Sequence, residues 1–411
     1  ASFDARNVGR VILETNAATG NIGTRINTNG GHVLFTDTAI NAQNSGTETL
    51  AIGAGEGTVD IAEIGSGQSL GQTGILLIAG IALGNIDINA GLVTASGDIT
   101  NLGGEVNIDS TNGINALDDL SISNLGGGDI ILDEADLNGN KNIAINAGDG
   151  DVRLADAGQE TKLASLTVIS SGTTSLEASD ISTTGNVDFS RALNVDLEGN
   201  LKVESANGNI DFTGGAVDGD FFVTMTALNG TVTLGSFGQS ADTPFGALRI
   251  FSNRTRLQGN GTVNGDITLN STTEIGIAGR IQANQGGEIN IFVSDADNGK
   301  FALFTGSEVR TDGGDINLNV PFNNLITRGD LVGANQGFEF LNLSGVASFD
   351  FDAEELGFGL IPGLLSAPIG LPIDQNFIID DSLQWKNAIL PSVIRAEKTS
   401  VTFEDDEDDW Q

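Results

Sequence analysis

Cysteine is missing from this 411-residue chain, and several other residue types are scarce. Without thiols, neither disulfides nor thiolate metal sites can form. A single histidine also excludes histidine-rich zinc sites. Only 6 prolines accompany 57 glycines, which excludes collagen-like and proline-rich disordered chains. No apolar run approaches the ~20 residues of a membrane-spanning helix, so we expect no membrane span.

Positive charge is scarce as well. The chain has 18 Lys and Arg residues against 55 Asp and Glu residues, for a net charge of −37. Such a surface repels nucleic acids and anionic lipid head groups, so nucleic acid is not an expected partner. Cations, or a basic or neutral partner, fit better. The chain begins with Ala1, which indicates a processed or trimmed N-terminus.

A glycine followed by alternating residues recurs along the chain, as in GGDINLNV at residues 313–320. Eleven of the thirteen steps between successive glycines are 20 to 27 residues long. The two steps of 35 residues each contain a degenerate repeat, at Gly172 and Gly246. The repeated glycines are Gly9, Gly31, Gly57, Gly84, Gly104, Gly128, Gly150, Gly185, Gly208, Gly230, Gly265, Gly287, Gly314 and Gly337.

The residues after each glycine alternate between apolar and polar, which predicts strands with one buried face. Sustained helical spacing is nearly absent. A sandwich or barrel also uses short strands, but it gives no reason for one motif to return at a fixed period. A solenoid does, because equivalent residues of successive coils stack. We therefore predict an all-β fold, a single-stranded right-handed parallel β-helix of about 15 coils of about 22–25 residues over residues 1–349. Twenty phenylalanines and no tyrosine suit its apolar interior.

Units such as GGEINIF at residues 286–292 resemble the repeats of filamentous-haemagglutinin-type exoproteins. The resemblance covers roughly residues 1–345. It implies a right-handed β-helical rod that is secreted by the two-partner route and serves adhesion or matrix building at the bacterial surface. The secretion domain of that family carries Asn-Pro motifs, and this chain has none. No transport residues are therefore carried over.

Few residues are candidates for catalysis. His32 is the single histidine and lies within GGHVLF, so we interpret it as a strand or corner residue. Arg249, Arg254 and Arg256 cluster in RIFSNRTRL. They could bind a uronate carboxylate or a sulfate, but we interpret them as a surface patch that balances neighbouring acids. Among 55 acidic residues, close carboxylate pairs are unavoidable and uninformative. We expect no enzyme, with a polysaccharide hydrolase or lyase as the alternative.

Calcium is the ion that the abundant oxygen ligands favour, and we expect no other cofactor. Asp149 and Asp151 lie in GDGDV, which resembles a fragment of a calcium-binding turn. Asp295 and Asp297 in SDADNG form a second candidate pair. The competing interpretation for both pairs is that they are solvated aspartates at coil corners.

The repeat stops near residue 350, and residues 350–411 form a second predicted unit. Residues 358–373, FGLIPGLLSAPIGLPI, are apolar and rich in proline, which forbids a regular helix or a central strand. This segment either caps the last coil or docks on a neighbouring molecule to give head-to-tail fibres. Residues 404–409 are all acidic and predict a solvated tail. The candidate docking residues are Phe358, Ile361, Leu364, Leu365, Ile369, Leu371, Trp385 and Trp410.

Together, the repeat and the exoprotein resemblance lead us to expect a secreted, non-enzymatic protein of the bacterial cell surface. It would act as a rigid structural or adhesive rod that associates with itself into fibres or extracellular matrix, or that contacts cell-surface glycans. A β-helical protein that binds or cleaves polysaccharides is the alternative.

Overall fold

Parallel β-strands make up all of the regular structure in the described part of the chain. A computed structural model describes residues 3–4, 9–13, 23–42, 48–65, 83–177, 180–240, 244–295, 298–320, 325–327, 330–333, 341–344 and 350–351. All elements in these ranges are strands, and every strand pairing is parallel. The predicted all-β parallel β-solenoid is confirmed. It has about 12 turns, against the about 15 coils predicted.

The strands are short and follow one another closely along the chain. Strands β1 to β12 span Phe3–Asp4, Gly9–Leu13, Gly23–Asn27, Val33–Ala42, Thr49–Gly53, Thr58–Ile64, Asn85–Ala90, Leu92–Ala95, Ile99–Asn101, Val106–Ser110, Ile114–Ala116 and Leu120–Asn124. Strands β13 to β24 span Ile130–Leu132, Leu137–Asn138, Asn142–Gly148, Val152–Leu154, Ser165–Leu176, Asp180–Thr183, Val187–Leu197, Leu201–Ser205, Ile210–Phe212, Ala216–Asp218, Phe222–Leu234 and Ala247–Leu257. Strands β25 to β35 span Gly261–Val263, Ile267–Ile277, Arg280–Ala283, Ile289–Val293, Lys300–Leu303, Glu308–Thr311, Ile316–Asn319, Leu325–Thr327, Asp330–Gly333, Leu341–Ser344 and Asp350–Phe351.

Three ladders of parallel pairing run along the solenoid. Ladder 1 contains β7, β10, β13 and β16, ladder 2 contains β8, β11 and β14, and ladder 3 contains β9, β12 and β15. The chain visits the ladders in the order 1, 2, 3 and then starts the next turn. The longer strands β17, β19, β23, β24 and β26 each pass through a corner and contribute to two ladders.

The interior is a single apolar core that extends from Val33 to Val320. Strand β7 shows how the alternation predicts it: Ile86 and Ile88 are buried, whereas Asp87 between them is exposed. The expected placement of phenylalanine in the core is confirmed for several residues, although Phe222 is 59% exposed. The fully buried phenylalanines are Phe35, Phe189, Phe212, Phe237, Phe245 and Phe301.

The repeated glycines lie at corners where successive coils touch. A Cβ atom added to Gly104 would stand 1.4 Å from the carbonyl oxygen of Gly84, and one added to Gly230 would stand 1.9 Å from that of Gly208. Since carbon and oxygen cannot approach so closely, only glycine fits at this coil spacing. Gly57 stacks on Gly31 in the same way, and from Gly84 onward the repeated glycines form three columns: Gly84, Gly104, Gly128, Gly150 and Gly172; Gly185, Gly208 and Gly230; and Gly246, Gly265, Gly287 and Gly314.

The glycine columns occupy three different corners, which the sequence reading missed. The first column precedes ladder 1, the second precedes ladder 3 and the third precedes ladder 2. Gly172 continues the first column, and Gly246 begins the third. Both residues therefore begin a repeat unit, as the sequence predicts. Each step of 35 residues marks the point at which the column moves to another corner.

Among the described residues, no helix is long and apolar enough to cross a membrane. Of the predicted C-terminal unit, the structure describes residues 350–351 alone. The cap and the docking segment, including Phe358, Ile361, Leu364, Leu365, Ile369, Leu371, Trp385 and Trp410, lie outside the described residues.

Candidate functional site: corner carboxylates and a polar groove

Asn and Asp side chains at the corners hold neighbouring coils together. In each case the Oδ1 atom accepts a hydrogen bond from a backbone N–H one coil further along the chain. Glu105 donates to Asn85 over 2.7 Å, and Arg280 donates to Asn260 over 2.9 Å. A corner N–H that the ladders leave unpaired is satisfied in this way. Further acceptors of this type are Asp98, Asp119, Asp129, Asn138, Asp151, Asp156, Asn186, Asn200, Asn209, Asp218 and Asp266.

The first pair of calcium candidates belongs to this corner system. The N–H of Asp151 donates to Asp129, while its own carboxylate accepts the N–H of Thr173 over 2.7 Å. The Asp149 carboxylate accepts the hydroxyl of Ser171 over 2.7 Å. In the described part of the chain, no three Asp, Glu or His side chains gather to hold a metal ion. Calcium binding at Asp149 and Asp151 stays a prediction.

The second calcium pair is only partly described. The carboxylate of Asp295 accepts the backbone N–H of Asn298 over 3.1 Å, which closes the turn before β29. Asp297 lies outside the described residues. Calcium at this pair likewise stays a prediction.

Carboxylates stack on the outer face of ladder 2, one per coil. The pairings place Asp136, Asp156 and Asp180 in register, followed by Lys202 on the next coil. Partial burial, and then the negative charge of Asp156, raise the pKa of the Asp136 carboxyl. At the end of the column, Lys202 lies 3.4 Å from Asp180 and 2.8 Å from Glu204. The hydrogen bond to Glu204 raises the pKa of Lys202 and lowers that of Glu204.

We expect Asp136→Asn to stabilise the protein at neutral pH. A raised pKa means that the carboxyl group keeps its proton to a higher pH in the folded state than in the unfolded state. The charged carboxylate therefore destabilises the folded state at pH 7, and protonation removes this destabilisation as the pH falls. Asparagine is neutral at every pH and can still accept the hydrogen bond that the backbone N–H of Asp156 donates to Asp136. The melting temperature of the variant should therefore exceed that of the parent at pH 7, and the difference should vanish at pH 3, below the ordinary value of 3.8.

Asp119→Asn is the matched control with the opposite sign. Hydrogen bonds from the side chain and then the backbone N–H of Asn142 lower the pKa of Asp119. Its charge therefore favours the folded state above the ordinary pKa, and this contribution is lost as the pH falls. Asp119→Asn should melt lower than the parent at pH 7. Equal shifts in the same direction for both variants would contradict these assignments.

The predicted arginine cluster is divided by a corner of the solenoid. Arg249 lies in the half of β24 that belongs to ladder 2, whereas Arg254 and Arg256 lie in the half that belongs to ladder 3. The Nε atom of Arg254 lies 3.3 Å from a carboxylate oxygen of the largely buried Glu274. For Arg254, the expected balancing of a neighbouring acid is confirmed. The three arginines do not form one patch, because β24 turns between them.

A polar groove of about 410 Å³ lies at the corner between ladders 2 and 3. One wall is a column in register, in which Thr231, Arg254, Glu274 and Lys300 follow one another on successive coils. Neutral amides and hydroxyls supply most of the remaining surface. The full lining is Asn209, Asn229, Gly230, Thr231, Asn253, Arg254, Thr273, Glu274, Asn298 and Lys300. Sequence reasoning missed this groove, because its residues come from five coils.

Buried hydroxyl groups fix the corner beneath the groove. Ser252, Thr255 and Ser271 are buried, and their oxygens lie 2.8 to 2.9 Å from one another. On the groove side, the Thr273 hydroxyl donates to the backbone carbonyl of Asn253 over 3.0 Å. The groove is therefore held from both sides by hydrogen bonds between coils.

His32 has the corner role that the sequence suggested. It is exposed, and its Nδ1 atom accepts the backbone N–H of Thr58 on the next coil over 3.1 Å. This bond resembles those of the corner Asn and Asp side chains.

The parallel β-solenoid agrees with the fold that the exoprotein resemblance implies. No protein-family model matches the chain, and comparisons with curated proteins and with solved structures gave no match either.

Proposed function

We propose that the protein is a rigid rod of the bacterial cell surface, secreted from the cell and serving a structural or adhesive role. This proposal rests mainly on the roles that the side chains have in the described coils. Inward-facing residues fill one continuous core, and corner Asn and Asp residues tie each coil to the next. Bonding of this kind along one axis favours a stiff, elongated body.

Self-association through the ends of the rod is part of the proposal. The end strand of a solenoid presents unpaired backbone groups, which can pair with a strand of another molecule. The apolar residues 358–373 supply a segment that could cover such an end, as the sequence predicts. With coils about 4.8 Å apart, the about 12 described turns correspond to a rod of about 60 Å.

Electron microscopy of the purified protein tests this function. At micromolar concentration and above, we expect rods that lengthen in steps of at least about 60 Å, the length of the described coils at the usual strand spacing. The double variant Leu364→Asp, Leu365→Asp should stop the lengthening, because two charges in the apolar segment oppose its burial. Short rods of one length at every concentration would contradict end-to-end assembly. Antibody labelling of intact cells tests surface location separately, and a wholly intracellular signal would contradict it.

A further inference from the structure

The polar groove has the chemistry of a binding site for sugar hydroxyls. Amide and hydroxyl side chains both donate and accept hydrogen bonds, as sugar hydroxyls do. The groove presents them from Asn209 to Asn298, across coils about 4.8 Å apart. It therefore offers a straight row of polar partners about 19 Å long, parallel to the rod axis. We propose that this groove binds an uncharged, linear oligosaccharide.

The charges around the groove favour an uncharged ligand over an ionic one. Arg254 and Glu274 neutralise each other across 3.3 Å, and Lys300 lies in register beside Glu274. Residues 244–320 carry 6 Lys and Arg against 8 Asp and Glu, whereas residues 83–240 carry 5 against 23. The groove thus adjoins the nearly neutral part of a strongly acidic rod. Polyanions are repelled by the whole molecule, and polycations are drawn to the acidic coils instead.

Fixed geometry makes the groove suitable for binding. The hydroxyl triangle of Ser252, Thr255 and Ser271 and the bond from Thr273 to Asn253 hold its floor in place. A ligand therefore pays little to order these side chains. None of the described residues that line the groove is aromatic, so we expect affinity to come from hydrogen bonds alone. We expect a Kd on the order of 1 mM.

This inference deepens the adhesive arm of the proposed function, because an adhesive rod needs a surface that recognises glycans. Its test does not depend on assembly. If the protein binds sugar but remains a single short rod, the groove proposal is supported and the fibre proposal is contradicted. If it forms fibres without binding sugar, the fibre proposal is supported and the groove proposal is contradicted.

Saturation-transfer NMR with cellotetraose as the probe, on the full chain, tests the proposal. We expect saturation transfer from the protein to the sugar. In Asn298→Ala and in Asn229→Ala, the affinity for the sugar should fall about three- to ten-fold, as the loss of one hydrogen bond predicts. Asn298 and Asn229 are exposed groove residues, so both variants should fold. Asn140→Ala, an exposed corner amide outside the groove, is the control and should bind as the parent does. Circular dichroism checks the fold of each variant.

Salt and competing ligands separate this site from an ionic one. Binding of cellotetraose should not change between low and high salt, since the sugar carries no charge. Absence of transfer at about ten times the expected Kd would overturn the proposal, as would equal weakening in Asn140→Ala. Tighter binding of tetragalacturonate, or of a peptide with the sequence of residues 404–409, would also overturn it and would assign the groove to anions.

Discussion

Gly104→Ala is expected to lower the free energy of unfolding by at least about 3 kcal/mol. The added Cβ would stand 1.4 Å from the Gly84 carbonyl oxygen and 2.2 Å from the Oδ1 atom of Asn85. Both contacts are far shorter than van der Waals distance, and the first is with backbone. The two coils must therefore separate locally, which also strains the bond from the Glu105 N–H to Asn85. Urea denaturation followed by circular dichroism measures the loss.

Gly199→Ala is the matched control for this prediction. Gly199 also lies between strands, but an added Cβ would meet no heavy atom within 4 Å, and its φ is not positive. Its replacement should change the free energy of unfolding by less than about 1 kcal/mol. If both variants lost the same stability, the damage would reflect loss of glycine in general, and the contact between coils would not explain the glycine columns.

Phe212→Ala should also be strongly destabilising, by about 3–5 kcal/mol. Phe212 is buried, and its ring stacks on that of Phe189 with centroids 4.5 Å apart and planes 8° from parallel. Truncation removes apolar area from the core, leaves a cavity and ends the ring contact between two coils. Urea denaturation of the variant gives the loss directly.

Phe222→Ala provides the comparison for the aromatic substitution. Phe222 is 59% exposed, so its truncation should cost less than about 1 kcal/mol. Similar losses at Phe212 and Phe222 would show that the buried stack is not a major source of stability. A small loss of unfolding free energy in Phe212→Ala would mean that most of the stability comes from residues outside the core ladders.

The fold could be predicted from the sequence because its cause is local. In NIDINA, the residues of β7, alternation alone identifies Ile86 and Ile88 as buried. Return of that pattern after a nearly constant interval then indicates stacked coils. The change of corner at the two 35-residue steps could not be predicted. Spacing reveals that a glycine recurs, but it does not reveal which of three corners each glycine occupies.

The groove and the acidic column could not be predicted, because both depend on register between coils. Thr231 and Arg254 become neighbours only when the pairing of β23 with β24 is known. Asp136 and Asp156 come together by the same kind of alignment. Their separations along the chain differ, since turn lengths differ from coil to coil. The three arginines show the converse, because residues close in sequence were divided by a corner.

The most direct test of the stacked-coil account uses pairs of spin labels. The chain has no cysteine, so introduced cysteines can be labelled without interference. Ser121, Asp188, Asp211 and Thr233 lie in one outer column of ladder 3, with Asp188 three coils, Asp211 four coils and Thr233 five coils from Ser121. Pulsed electron paramagnetic resonance should give distances from Ser121 that grow by about 4.8 Å per coil, near 14, 19 and 24 Å at the backbone. Distances that fail to increase in this order would contradict the parallel solenoid.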